Sequence, residues 1–116
     1  MVFSNHLGVL RVSRITGPTH NLLGLRFSSG QWDAPPQMID LDRDDAPMRL
    51  HAADIRRAVQ SGVEEINRSL HTSYRVDRIE FLHGDSPPVD VYRLLAIAII
   101  ERLASAGEFR TSVQSS

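Results

Sequence analysis

Apolar residues recur along the chain in two rhythms, and the change from one to the other divides it into elements. Leu7 to Ile15 and Leu22 to Ser28 carry the short period of strands; in the second, Leu23, Leu25 and Phe27 alternate with Leu22, Gly24 and Arg26. Between them Thr16-Gly17-Pro18-Thr19-His20-Asn21 supplies turn residues, so an antiparallel hairpin is expected. Gln37 to Leu41 reads as a third short strand with Ile39 and Leu41 on one face. The period then lengthens. Ile55, Ala58, Val59, Gly62, Val63, Ile66 and Leu70 recur at steps of three and four, the stripe of an amphipathic helix, and Glu64 and Arg68 stand on its polar face as a favourable i to i+4 pair. An interior glycine costs a helix about 1 kcal/mol relative to alanine, so Gly62 is expected where this helix passes close to the sheet.

Tyr74 to His83 returns to β-branched and aromatic residues, but Val76 is out of phase with Ile79 and Phe81. A bulge near Asp77 and Arg78 reconciles them. Gly84-Asp85-Ser86-Pro87-Pro88 then marks a turn, and Asp85 or Ser86 is expected as N-cap of a second helix with Pro87 at its first position. In that helix Tyr92, Leu95, Ala96, Ile99, Ile100 and Leu103 repeat at helical spacing, while Leu94, Ile97 and Ala98 cover much of the remaining circumference. Such a helix must be covered on more than one side. The order β-β-(β)-α-β-α predicts an α+β two-layer sandwich, one antiparallel or mixed sheet packed by two helices.

With 116 residues and no break in composition, the sequence is expected to form a single α/β domain over 1–116, its ordered core spanning about 7–106 and a flexible tail 107–116. Its 13 basic and 14 acidic side chains give a formal charge of −1, so any charged partner has to be met by a local patch. The absence of cysteine excludes a disulfide framework and thiolate sites. No basic segment followed by an apolar one opens the chain, and the run from Val89 to Leu103 is interrupted by Asp90, Arg93, Glu101 and Arg102 and is shorter than the roughly 20 residues of a span. A cytoplasmic protein without membrane contact is expected.

The most biased segment is Asp40-Leu41-Asp42-Arg43-Asp44-Asp45, with four carboxylates in six residues ahead of the first helix. Either it is a solvated loop or an acidic docking patch. It is not a calcium loop, because Arg43 interrupts Asp40, Asp42 and Asp44, no glycine holds the sixth position, and His51 stands where the closing glutamate belongs. His83, Asp85 and Ser86 name the members of a serine triad, but triad partners meet from separate parts of a fold, not from one turn. His6, His20, His51, His71 and His83 lack the helical spacing of metal ligands, and the scattered Gly17, Gly24 and Gly30 make no phosphate loop. No enzyme activity, metal or cofactor is therefore expected. Arg11, Arg14 and Arg26 on the hairpin and Arg75 and Arg78 on the later strand are enough to track phosphates, yet four Phe, two Tyr and one Trp leave no stacking platform, and direct nucleic-acid binding is not expected.

Two resemblances attach to these elements. Ala52 to Ile66, with its glycine followed by Glu64 and Glu65, and then the Tyr74-Arg75-Val76 strand start resemble domain IV of the translational elongation factor G, which implies a β-α-β topology over about half the chain. The helix ending near Leu70, the strand ending Ile79-Glu80-Phe81-Leu82, Asp85 to Ala96, and Ile99-Ile100-Glu101-Arg102-Leu103 look like small bacterial immunity proteins of contact-dependent growth inhibition systems. That resemblance implies a non-catalytic inhibitor that binds a cognate toxin, a tRNA- or DNA-cleaving nuclease domain, and covers its active site. A ribosome- or RNA-associated module, or a small adaptor subunit, is the alternative.

A nuclease groove is basic, so clustered carboxylates on an inhibitor assist encounter and complementarity. Asp40, Asp42, Asp44 and Asp45 form the first candidate patch, with Trp32 in the preceding loop as an aromatic anchor. Asp33, Asp85 and Asp90 form an alternative patch if the loops at one end of the sheet gather.

Overall fold

A computed structural model describes residues 1–17, 19–28 and 34–111. The elements are β1 (Val2–His6), β2 (Val9–Thr16), β3 (Thr19–Phe27), β4 (Gln37–Asp40), α1 (Ala52–Leu70), β5 (Val76–Phe81), α2 (Val91–Ala104) and β6 (Arg110–Thr111). They form one mixed sheet in the order β4-β5-β3-β2-β1-β6. Antiparallel pairing joins β1, β2, β3 and β5, and the two outermost strands run parallel to their neighbours. The class is the α+β sandwich that the hydrophobic rhythms predict.

Alternation sets which face is covered. Leu10, Val12, Leu23, Leu25, Ile79 and Phe81 point from the sheet into one core with Ile55, Val59, Val63 and Ile66 of α1 and Tyr92, Leu95, Ala96, Ile99 and Ile100 of α2. The opposite face carries Arg11, Gly24 and Glu80. Glu80 is 2% exposed because its carboxylate accepts from Arg11 Nε at 2.8 Å and Arg78 Nε at 3.1 Å and lies directly over Gly24, where a Cβ would stand 3.0 Å from Glu80 Oε1. Three strands are thereby bridged by one buried carboxylate.

The strand expected over Leu7–Ile15 begins instead at Val9, and a further strand, Val2–His6, precedes it. The register pairs His6 with Val9, so Leu7 and Gly8 make a two-residue turn with φ of +52° and +89°, the double positive dihedral of a type I′ hairpin. Asn5 Oδ1 accepts from Gly8 N at 2.9 Å and props that turn. The bulge expected near Asp77 is present: Arg26 pairs with Arg78 while Phe27 pairs with Val76, so Asp77 is the extra residue. The sheet also takes in Val2–His6 and Arg110–Thr111, on either side of the span 7–106.

The start of α2 differs from the expectation. The helix begins at Val91 after Asp90 and not at Pro87, because Asp85 and Ser86 are turned toward β3 and cap nothing in α2. Asp85 Oδ2 accepts from Leu22 N at 2.7 Å, and Ser86 Oγ accepts from His20 N at 3.2 Å. Gly62 is also placed differently. It is buried against α2 and not the sheet, next to the main chain of Arg93.

Candidate binding loop at the end of β4 and β5

β4 and β5 run side by side and end together, which brings the acidic run against the turn that follows β5. Leu41 N donates to Phe81 O at 2.8 Å, and Arg49 N and Leu50 N donate to His83 O at 2.9 and 3.0 Å. The connection from Leu41 to Leu50 therefore leaves the sheet and returns to the same turn, pinned at both ends by main chain.

Side chains of the acidic run tie the rest. Asp40 Oδ1 accepts from Asp42 N at 3.0 Å and from His83 N at 3.3 Å, and its Oδ2 lies 2.6 Å from His83 Nδ1. Asp42 holds Gly84 N at 2.8 Å through Oδ2 and Arg43 N at 2.8 Å through Oδ1. The other ring nitrogen of His83, Nε2, donates to Ala46 O at 2.9 Å in the middle of the connection. Burial pushes the Asp40 carboxyl up, but the hydrogen bonds from Asp42 N and His83 outweigh it and hold the group below the ordinary carboxylate value. The hydrogen bond to Asp40, then that to the Ala46 carbonyl, raises His83 above its ordinary value in spite of burial.

The carboxylates of the run thus divide into two pairs. Asp40 and Asp42 serve the turn, whereas Asp44 and Asp45 face solvent, with Arg43 Nε 3.8 Å from Asp45. Beside them Leu41 is 41% and Met48 63% exposed. Spacing sets Leu41 with Ile39 on one strand face and does not mark Met48, so neither is pointed to as a contact residue by the sequence.

Of the alternative patch, Asp85 is buried and Asp90 exposed. Asp85 is 4% exposed; besides Leu22 N it accepts from Tyr92 Oη at 2.6 Å, and its Oδ1 lies 3.2 Å from His20 Nδ1. Burial first, and then the bond to Asp85, pushes the Tyr92 phenol far up. Asp90 is exposed at the start of α2, where Arg93 Nε bonds it at 3.0 Å and holds its carboxyl below the ordinary range; the same guanidinium reaches Glu65 of α1 at 2.6 Å. Trp32 and Asp33 lie outside the described residues.

His83, Asp85 and Ser86 do not act on one another: His83 faces Asp40 and Ala46, and Asp85 faces His20, Leu22 and Tyr92. Both nitrogens of His83 are occupied by protein acceptors, so it is not placed as a general base. Among the described residues no three His, Cys, Asp or Glu side chains converge to hold a metal ion, no buried side-chain polar atom lacks a partner, and no helix is long and apolar enough to cross a membrane. A cleft of about 800 Å³ lies at the other end of the sheet among Pro36, Gln37, Val63, Asn67, Tyr74 and Val76. The Asn67 amide in it is taken up by Thr72 and Tyr74.

No family model matches the chain, and no solved structure matches it significantly. A 67-residue stretch is 33% identical to part of cryptochrome-2 of Gallus gallus, covering 58% of this chain and 12% of that protein. The chain is similar there to about an eighth of the relative's length, a share that assigns no family.

Proposed function

We propose that this chain is a non-catalytic binding domain that offers the Leu41–Arg49 loop to a basic protein partner, in the manner of an immunity protein that covers the active site of a nuclease toxin. The observation that supports this reading is the contrast within the loop. Its ends and its middle are fastened to Phe81, His83 and Gly84, while Leu41, Asp44, Asp45 and Met48 are left facing outward. A loop already held in place loses little freedom when it binds. Exposed carboxylates accelerate encounter with a basic groove, and a flexible methionine fits the irregular apolar surface next to it. On this reading the protein acts in the cytosol and needs no cofactor.

The arginines of the open sheet face do not favour the RNA-associated alternative. Arg11 and Arg78 are bonded to Glu80, and Arg26 to Asp77 at 2.8 Å, so much of the charge that would track phosphates is met by the protein's own carboxylates. Affinity capture of the tagged chain from its source cells separates the readings. Recovery of one nuclease-like domain, lost in a Asp44→Asn/Asp45→Asn/Met48→Ala variant, is the expected result. Recovery of ribosomal particles that dissociate with salt overturns it.

A further inference from the structure

The ring of His83 is asked for two protons. Nδ1 lies 2.6 Å from Asp40 Oδ2 and Nε2 lies 2.9 Å from Ala46 O. A carboxylate and a main-chain carbonyl only accept, and a neutral imidazole carries one N–H, so both bonds exist together only when the ring is an imidazolium. At 7% exposure the ring has little water to replace a lost partner. We propose that His83 is a protonation-controlled latch on the Leu41–Arg49 loop: the doubly protonated ring ties the end of β4 to the middle of the loop, and loss of one proton frees the middle while the ends stay bound.

Bond strengths decide which tie is lost. The contact with the carboxylate is shorter and charge-assisted, so the remaining proton stays on Nδ1. Nε2 then turns a lone pair toward the Ala46 carbonyl, and the two repel. Ala46 keeps only the weaker local bond from its own N to Arg43 O, 3.1 Å long, whereas Leu41 remains on Phe81 O and Arg49 and Leu50 remain on His83 O. Arg43 N also stays on Asp42 Oδ1, so the released part is Asp44 to Met48, which carries both exposed carboxylates and the methionine.

The charged groups acting on the ring are Asp40 at the end of β4 and Asp42 in the loop, both anionic. The approach to α1 meets His83 with the amides of Arg49 and Leu50. Asp85, two residues along its own turn, is directed to Leu22, His20 and Tyr92. Every charge that reaches the ring thus favours the latched form, and release belongs to pH above the ordinary histidine range. That the latch governs binding rests on the loop being the docking surface; the latch itself does not.

The test uses the chain alone. Ring-nitrogen NMR of His83 and amide shifts of residues 44–48 are followed across pH 5 to 10, a range set about the ordinary imidazole value. Both ring nitrogens protonated at the acid end, and a loop transition sharing the ring's midpoint, are the expected results. In Asp40→Asn the acceptor remains but its charge is gone, so ring and loop midpoints should fall together by about one pH unit or more. In His83→Gln the main-chain bonds of residue 83 are kept and the loop transition should vanish. A neutral ring at pH 5, or a ring that titrates while residues 44–48 do not respond, overturns the latch. Because no partner enters the experiment, failure here leaves the binding reading standing, and failure to capture a toxin leaves the latch standing.

Discussion

A methyl group on Gly62 would stand 2.5 Å from the carbonyl oxygen of Arg93. The two helices touch main chain to main chain there, and the contact turns a generic rule around. Helix propensity alone makes Gly62→Ala stabilising by about 1 kcal/mol. Overpacking against a rigid carbonyl costs about 1 to 3 kcal/mol, so Gly62→Ala should lower the denaturant midpoint, and Gly62→Leu should lower it further. A variant more stable than the parent would mean that α1 and α2 are free to separate at this point.

Leu7 presents the opposite case. It holds a φ of +52° at a hairpin tip while 78% exposed, a backbone region that costs a residue with a Cβ roughly 1 to 2 kcal/mol and that asparagine tolerates. Leu7→Asn should therefore raise stability, by about 0.5 to 1 kcal/mol in thermal unfolding. A loss of stability would show that Leu7 makes packing contacts that its exposure conceals.

The pH dependence of stability follows from the two partners at the loop. Asp40 is held below its ordinary value of 3.8, so its contribution is present above that value and is lost as pH falls through the lowered one. His83 is raised above 6.5, so its contribution is complete below 6.5 and is lost as pH rises through the raised value. Stability from this pair should hold between these limits and decline on the alkaline side, and denaturant melts of His83→Gln should show a weaker alkaline decline than the parent.

The division of the acidic run gives a sharper mutational pattern than a uniform patch. Asp44→Asn/Asp45→Asn should leave the fold intact, slow association with a basic partner and remove much of its salt dependence, since exposed charges act mainly on encounter and are screened within about 8 Å at physiological ionic strength. Asp42→Asn should instead disturb the Gly84 turn, visible as altered amide shifts at Gly84 and Arg43 without any partner. Equal effects of both changes on association rate, with no local shifts, would restore the picture of one continuous patch.

These contrasts show what the linear chain discloses. Ile55, Val59 and Ile66, or Leu95 and Ile99, mark helices because each side chain's depth is fixed by the helix's own period, and the phase slip between Val76 and Ile79 marks the bulge at Asp77 for the same reason. Asp85 and Ser86 look like helix caps because a local signature is silent about donors more than 60 residues away; Leu22 and His20 outcompete the first turn of α2 for them. Likewise the run Asp40–Asp45 has one composition but two environments, set by whether a turn some 42 residues onward offers amides. The break at Leu7–Gly8 is hidden by a leucine in a conformation that composition would give to asparagine or glycine.

The buried carboxylate of Glu80 also carries an expectation about the order of folding. β1, β2 and β3 form a meander of neighbours in sequence, but β5 reaches β3 only across the whole of β4 and α1, pairing Gly24 with Glu80. Closing so long a loop is slow, and the meander has to exist before the contact rewards it. Glu80 meets Arg11 of the meander only when β5 docks, so its dehydration is expected late in folding. Substitutions at Glu80 should then speed unfolding far more than they slow refolding, making this buried charge a determinant of how long the native state lasts.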